Sequence, residues 1–131
     1  MTYAAITGWG AAMPPSVLSN GDLSTFLDTN DEWIATRTGM KERRISHISG
    51  IEMAVIAARR AIAAAGLEGK DIDLIVYGSC SNDEQVPNAS SGVQAAIGAK
   101  HAASMDVNTA CTSFLYSLST ATAVIRTGVV K

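Results

Sequence analysis

Between Val107 and Ile125 the chain carries no charged side chain. Leu115, Leu118, Thr122 and Ile125 recur there at helical spacing, so the stretch reads as a helix from about residue 112. A helix on the surface of a soluble protein carries a polar, charged face. One without charge calls for cover on nearly all sides. Residues 102–107 read as a strand, followed by a turn through Asn108 and Thr109. Cys111 therefore stands where a strand hands over to a helix N-terminus. The partial positive charge and free N–H groups of that helix end favour a thiolate. Such sites lower a cysteine pKa from about 8.5 to roughly 3.5–7.5, and the thiolate is the form that attacks a carbonyl carbon. The alternative is a small hydrophobe in the core, a common fate of free cysteine.

The rest of the sequence supplies the layers. Residues 3–7 form a strand candidate closed by Gly8 and Gly10, and Pro14-Pro15 marks a turn. Asn20 is expected to cap a short helix over 21–27. Asn30 caps a second helix, with Asp31 and Glu32 in its first turn and Gly39 as its stop. Trp33 and Arg37 are four apart and share one face of that helix. Lys41, Arg43 and Arg44 follow. They read either as a solvated surface loop or, with the Trp33 plane, as a seat for a nucleotide-bearing anion. Ser49 and Glu52 form a capping box for a helix reaching Gly66. Residues 72–77 are a strand with branched residues on both faces, as in a covered parallel sheet. Residues 81–86 are a polar loop, and Pro87 starts a helix running to about Ile97, closed by Gly98.

Strand and helix thus alternate, the pattern of an α/β domain with a parallel sheet. With 131 residues the chain has room for one domain with a real core. A net charge of -2 excludes the basic excess of a nucleic-acid binder. Two cysteines make no disulfide framework, and the start of the chain lacks a basic signal region; both point to a reducing cytoplasm. No run of about 20 apolar residues is present to span a membrane. The chain stops just after a helix, where the alternation calls for another strand.

Three stretches resemble the N-terminal part of β-ketoacyl-acyl-carrier-protein synthase III, in the thiolase superfamily. They are Asp28-Thr29-Asn30-Asp31-Glu32-Trp33-Ile34-Ala35-Thr36-Arg37-Thr38-Gly39 with the Arg43 that follows, the 72–77 strand, and Asp106-Val107-Asn108-Thr109-Ala110-Cys111. The resemblance implies the N-terminal half of a thiolase-like layered αβαβα fold, with residues 1–131 as a half-domain lacking its C-terminal half. It makes Cys111 the nucleophile that takes an acyl group from acyl-CoA, its own N–H helping to form the oxyanion hole. It places Trp33 and Arg37 on the CoA adenine and Thr29 near the same tunnel mouth. Val86 falls where many relatives carry a phenylalanine bounding the acyl pocket across a homodimer interface. Acyl-carrier protein is the implied second partner, acyl-CoA a substrate rather than a cofactor, and no metal is implied. The family's catalytic histidine and asparagine lie in the C-terminal half; His47 and His101 match neither. Two alternatives stay open. One is a related condensing enzyme using another nucleophile, with Glu84 as a base. The other is a non-catalytic half-domain that binds CoA or dimerises.

Overall fold

The computed structural model describes residues 3–82 and 84–130; Asp83 of the expected polar loop and the terminal Lys131 lie outside them, as do Met1 and Thr2. The chain divides into two compact units, 13–48 and a larger one made of 1–12 with 49–131.

In the 13–48 unit, β1 (Ser16–Ser19) runs antiparallel to β2 (Glu42–Ile45), with Leu18 opposite Arg43. Between them come α1 (Asn20–Leu23) and α2 (Asp31–Thr38). The expected Asn30 cap is present: its side chain accepts from Trp33 N at 2.8 Å, and Gly39 ends the helix at φ 72°. The expected Asn20 cap is not. Ser19 caps α1, accepting from Asp22 N while Asp22 accepts from Ser19 N. Asn20 is instead 1% exposed and ties the unit together. Its Nδ2 donates to Asp31 Oδ1 (2.7 Å) and Met40 O (2.8 Å), and its Oδ1 accepts from Arg43 Nη2 (2.8 Å). A buried amide is stable only when satisfied in this way. The loop reading of the cations is corrected too. Arg43 and Arg44 are strand residues, and Arg43 also donates to Leu18 O. Lys41 pairs with Asp31, and Arg44 with Glu42.

The larger unit holds α3 (Gly50–Ala64), β3 (Leu74–Gly78), α4 (Ala89–Ile97), β4 (Ala103–Val107) and α5 (Ser113–Arg126). The Ser49–Glu52 capping box forms, and Gly66 and Gly98 take positive φ just past α3 and α4. β3 and β4 pair in parallel, from Leu74 opposite Ala103 to Gly78 opposite Val107. Side chains alternate across a strand. Leu74, Val76 and Gly78 face α5, meeting Phe114, Ser117, Leu118 and Ala121. The Tyr77 hydroxyl reaches the opposite side, to Gly50 of α3. Helices thus cover both faces of the sheet. α3 packs on α4 around Val55 and Val93, 8% and 3% exposed.

One expectation fails here. Residues 3–7 form no strand. Their apolar side chains fit a sheet, but β propensity yields a ladder only beside a partner strand, and neither pairing of the described residues includes them. This segment runs instead along α3. A Cβ at Gly8 would sit 2.3 Å from Ala61 O, one at Gly10 2.2 Å from Ala57 O, and Arg60 donates to Ala11 O. Among the described residues α5 packs against β3 and β4. Ser113 and Ser117 are its buried residues, while Phe114, Leu115 and Tyr116 are 69%, 64% and 57% exposed. Close approach to Gly78 fits small hydroxyl side chains at Ser113 and Ser117, beside Phe114, Leu118 and Ala121, which line the same face. Among the described residues no helix is long and apolar enough to cross a membrane.

Candidate active site

Cys111 lies in the 3₁₀ turn Ala110–Thr112 between β4 and α5, and it is exposed. Several bonds hold this turn. Thr109 N donates to Ser113 Oγ (3.0 Å), whose hydroxyl donates to Ala110 O (2.8 Å). Thr112 Oγ1 donates to Thr109 O (2.7 Å), and Val107 O is taken by Ser79 N. Ala110 is driven to φ 50°. That left-handed conformation costs an L-residue with a side chain about 1–2 kcal/mol, and it persists only where its surroundings impose it. Here they do, and the next residue, Cys111, is exposed in the turn that leads into α5. Thr112, the N-cap of α5, makes no side-chain cap. The N–H groups of Thr112 and Ser113 are instead taken by the backbone carbonyls of Thr109 and Ala110.

A residue that sequence reasoning missed stands five positions before the thiol. The Asp106 carboxylate accepts from Ala89 N and Ser90 N (both 2.9 Å) and from Asn82 Nδ2 (3.0 Å). Asn88, the N-cap of α4, makes no side-chain cap; Asp106, reaching over from β4, does that work. Burial pushes its carboxyl up, but the hydrogen bonds from Ser90, Ala89 and Asn82 prevail and hold it below the usual 3.8. The signal in the sequence was a lone carboxylate on a strand lying between two helices, where charge needs partners.

In the 13–48 unit, the guanidinium carbon of Arg37 lies 4.4 Å from the centre of the Trp33 ring, a cation–π stack along one face of α2. Trp33 and Thr29 line an open groove of about 510 Å³ with Leu23, Leu27, Met40 and Arg43. The Thr29 hydroxyl is buried with no hydrogen-bond partner. Asp31 has its carboxyl lowered by Asn20 and then by Lys41.

Trp33, Arg37 and Thr29, expected together, thus lie together on one unit. Cys111 and Val86 lie on the other, Val86 being 88% exposed in the loop before α4. Glu84 is exposed in the same loop.

No protein-family profile matches the chain. Over 126 residues it is 54% identical to beta-ketoacyl-acyl-carrier-protein synthase III 2 of Vibrio vulnificus, a match covering 96% of the chain and 35% of that protein. It is 44% identical over 133 residues to beta-ketoacyl-acyl-carrier-protein synthase III of Roseiflexus castenholzii, covering 98% of the chain and 40% of the relative. In structure it superimposes on 3-oxoacyl-acyl-carrier-protein synthase III from Aquifex aeolicus with a TM-score of 0.90 at 40% identity, over 94% of the chain and 40% of that protein. The α/β fold is therefore that of part of a thiolase-like synthase, and the chain spans well under half the length of these relatives.

Proposed function

We infer that this chain is the nucleophile-bearing portion of a condensing enzyme of the β-ketoacyl-acyl-carrier-protein synthase III type, acting at the start of fatty acid synthesis. The observation that carries this reading is Cys111, exposed on a turn with strained Ala110 at the uncapped head of α5. The Cys111 thiolate attacks the thioester carbonyl of acyl-CoA. A sulfur–carbon bond forms, the carbonyl oxygen takes negative charge, and the Cys111 N–H helps to meet that charge. Collapse of the intermediate expels CoA thiolate, which takes up a proton, and leaves an acyl-cysteine.

Trp33 and Arg37 hold the adenine of CoA, and the unpartnered Thr29 hydroxyl bonds the same ligand at the groove. Malonyl-acyl-carrier protein then loses carbon dioxide, and its carbanion attacks the acyl-cysteine carbonyl; the carbon–sulfur bond breaks, releasing β-ketoacyl-acyl-carrier protein and the Cys111 thiolate, which takes up a proton. That half-reaction needs a histidine and an asparagine; His47 and His101 do not occupy the matching positions, so residues beyond these 131 supply them. The enzyme works as a cytoplasmic homodimer in which Val86 bounds the acyl pocket of the partner subunit. It uses acyl-CoA as a substrate and no separate cofactor or metal.

Mass mapping after limiting treatment with octanoyl-CoA, and separately with iodoacetamide, tests the reading. Cys80 and Cys111 are both exposed, so exposure alone does not bias the outcome. Acylation and faster alkylation at Cys111 are expected, because the thiolate is the reacting form. Equal labelling of both thiols, or preference for Cys80, overturns it. Binding of CoA without acylation of either thiol would favour a non-catalytic module instead.

A further inference from the structure

We propose that Asp106 is a positioning residue that sets acyl-chain selectivity by fixing the loop carrying Val86 to the strand carrying Cys111. The inference rests on the reading of Cys111 as acyl acceptor and Val86 as pocket wall. Its basis is how the bonds are distributed. One carboxylate binds both ends of the 82–90 loop, Asn82 on the near side and Ala89 and Ser90 on the far side. The far anchor is rigid: Ala89 and Ser90 are 2% and 0% exposed, and Asn88 donates to Ser90 Oγ at 2.6 Å. The tip is the opposite, with Val86 88% exposed. A loop clamped at its base carries its exposed tip residue at a height set by the clamp. The clamp belongs to β4, whose last residue, Val107, leads directly through Asn108 and Thr109 to the turn of Cys111. A single side chain therefore sets how Val86 is presented across the dimer interface, to the partner subunit's acyl pocket.

Packing alone does not replace it. Asn88 makes no cap on α4, so without Asp106 the N–H groups of Ala89 and Ser90 lose their acceptor while buried. The loop must then shift to find water or another partner. The turn of Cys111 has its own bonds, through Ser113, Thr109 and Thr112, and does not depend on that carboxylate.

The test uses the full-length protein and compares the acylation of Cys111 by octanoyl-CoA and by acetyl-CoA in Asp106→Asn, Asp106→Ala and the wild type. Alkylation by iodoacetamide is the control for the thiol itself. Asp106→Ala is expected to reduce the octanoyl-to-acetyl ratio at least five-fold, with alkylation within two-fold of wild type. Asp106→Asn, which keeps one acceptor oxygen, falls between. In a double-mutant cycle, the effect of Val86→Phe on the ratio shrinks in the Asp106→Asn background, because both act through one loop. An unchanged ratio in a folded Asp106→Asn protein overturns the inference, as does a parallel fall in both acyl rates and in alkylation. If Asp106→Ala does not fold, the Asp106→Asn cycle decides. Wild-type protein that accepts no acyl group at Cys111 overturns the underlying reading instead, a result distinct from either.

Discussion

The guanidinium carbon of Arg37 lies 4.4 Å from the centre of the Trp33 ring, and Arg37 Nη1 reaches Trp33 O at 3.4 Å. The two residues are one helical turn apart on α2, so the stack is built within a single helix and depends on no distant contact. Trp33 is 52% exposed, which leaves ring surface for a ligand.

Arg37→Ala is therefore expected to weaken binding of CoA roughly five- to thirty-fold, about 1–2 kcal/mol, with no change in thermal stability. Arg37→Lys keeps the charge but loses the flat fork, and should recover only part of the affinity. Calorimetric titration with CoA, against pantetheine as the ligand without adenine, checks this. An equal loss for pantetheine would show that the stack does not serve adenine.

A different constraint holds α5 to the sheet. A Cβ at Gly78 would lie 2.9 Å from Ser117 Oγ, 3.0 Å from Ser113 C and 3.1 Å from Ser113 O. Gly78→Ala is expected to destabilise the protein by about 1–3 kcal/mol through overpacking. Ser117→Ala in the same chain should recover only part, because the Ser113 backbone still blocks the methyl group. Ser117→Ala alone is expected to be near neutral, since its buried hydroxyl has no partner to lose. Denaturant unfolding of the three variants measures each term.

Helix limits were legible in the sequence wherever a local rule governs them. Asn30, the Ser49–Glu52 box, Gly39, Gly66 and Gly98 all sit at helix ends as expected. The pairing of Trp33 with Arg37 was legible for the same reason, since helical spacing alone brings them together. What was not legible depends on partners distant in sequence. Asn20 looked like a cap because its type suits one; its bonds to Asp31, Met40 and Arg43 become visible only when the chain folds back. The 3–7 segment has strand residues but no strand beside it in the described chain. The absence of charge on α5 did not say which residues lie against the sheet; Ser113 and Ser117 stand opposite Gly78, where the short distance decides which side chains fit.

Ala110 is the one non-glycine residue with positive φ among the described residues, at 50°. Glycine takes that conformation without steric cost. Ala110→Gly is therefore expected to stabilise the fold by roughly 0.5–1 kcal/mol, the relief being reduced by the greater freedom of glycine in the unfolded chain. A wider range of turn conformations should also slow alkylation of Cys111. Equilibrium unfolding with a parallel alkylation rate checks both. A variant less stable than wild type would mean that the turn is not strained at this residue.

The acid response of the fold should be traceable to Asp106. Its folded carboxyl is held below the usual 3.8 by the bonds from Ser90, Ala89 and Asn82, against the opposing effect of burial. A carboxylate with a lowered folded pKa stabilises the native state above the unfolded value, and that contribution is lost as pH falls through the folded value. At pH 7, Asp106→Asn is expected to cost roughly 1–2 kcal/mol, since hydrogen bonds to a charged acceptor exceed those to a neutral one. Between pH 4 and the folded pKa, wild type loses this advantage while the variant, having nothing to protonate there, does not. The difference in stability should therefore narrow steadily below about pH 4. Asp22 and Asp31 are also lowered, by Ser19 and by Asn20 with Lys41, but both proteins keep them, so they cancel in the difference. Urea unfolding of both proteins from pH 7 to pH 3 measures the gap. A gap that stays constant across that range would mean that the bonds to Asp106 do not favour its charged form.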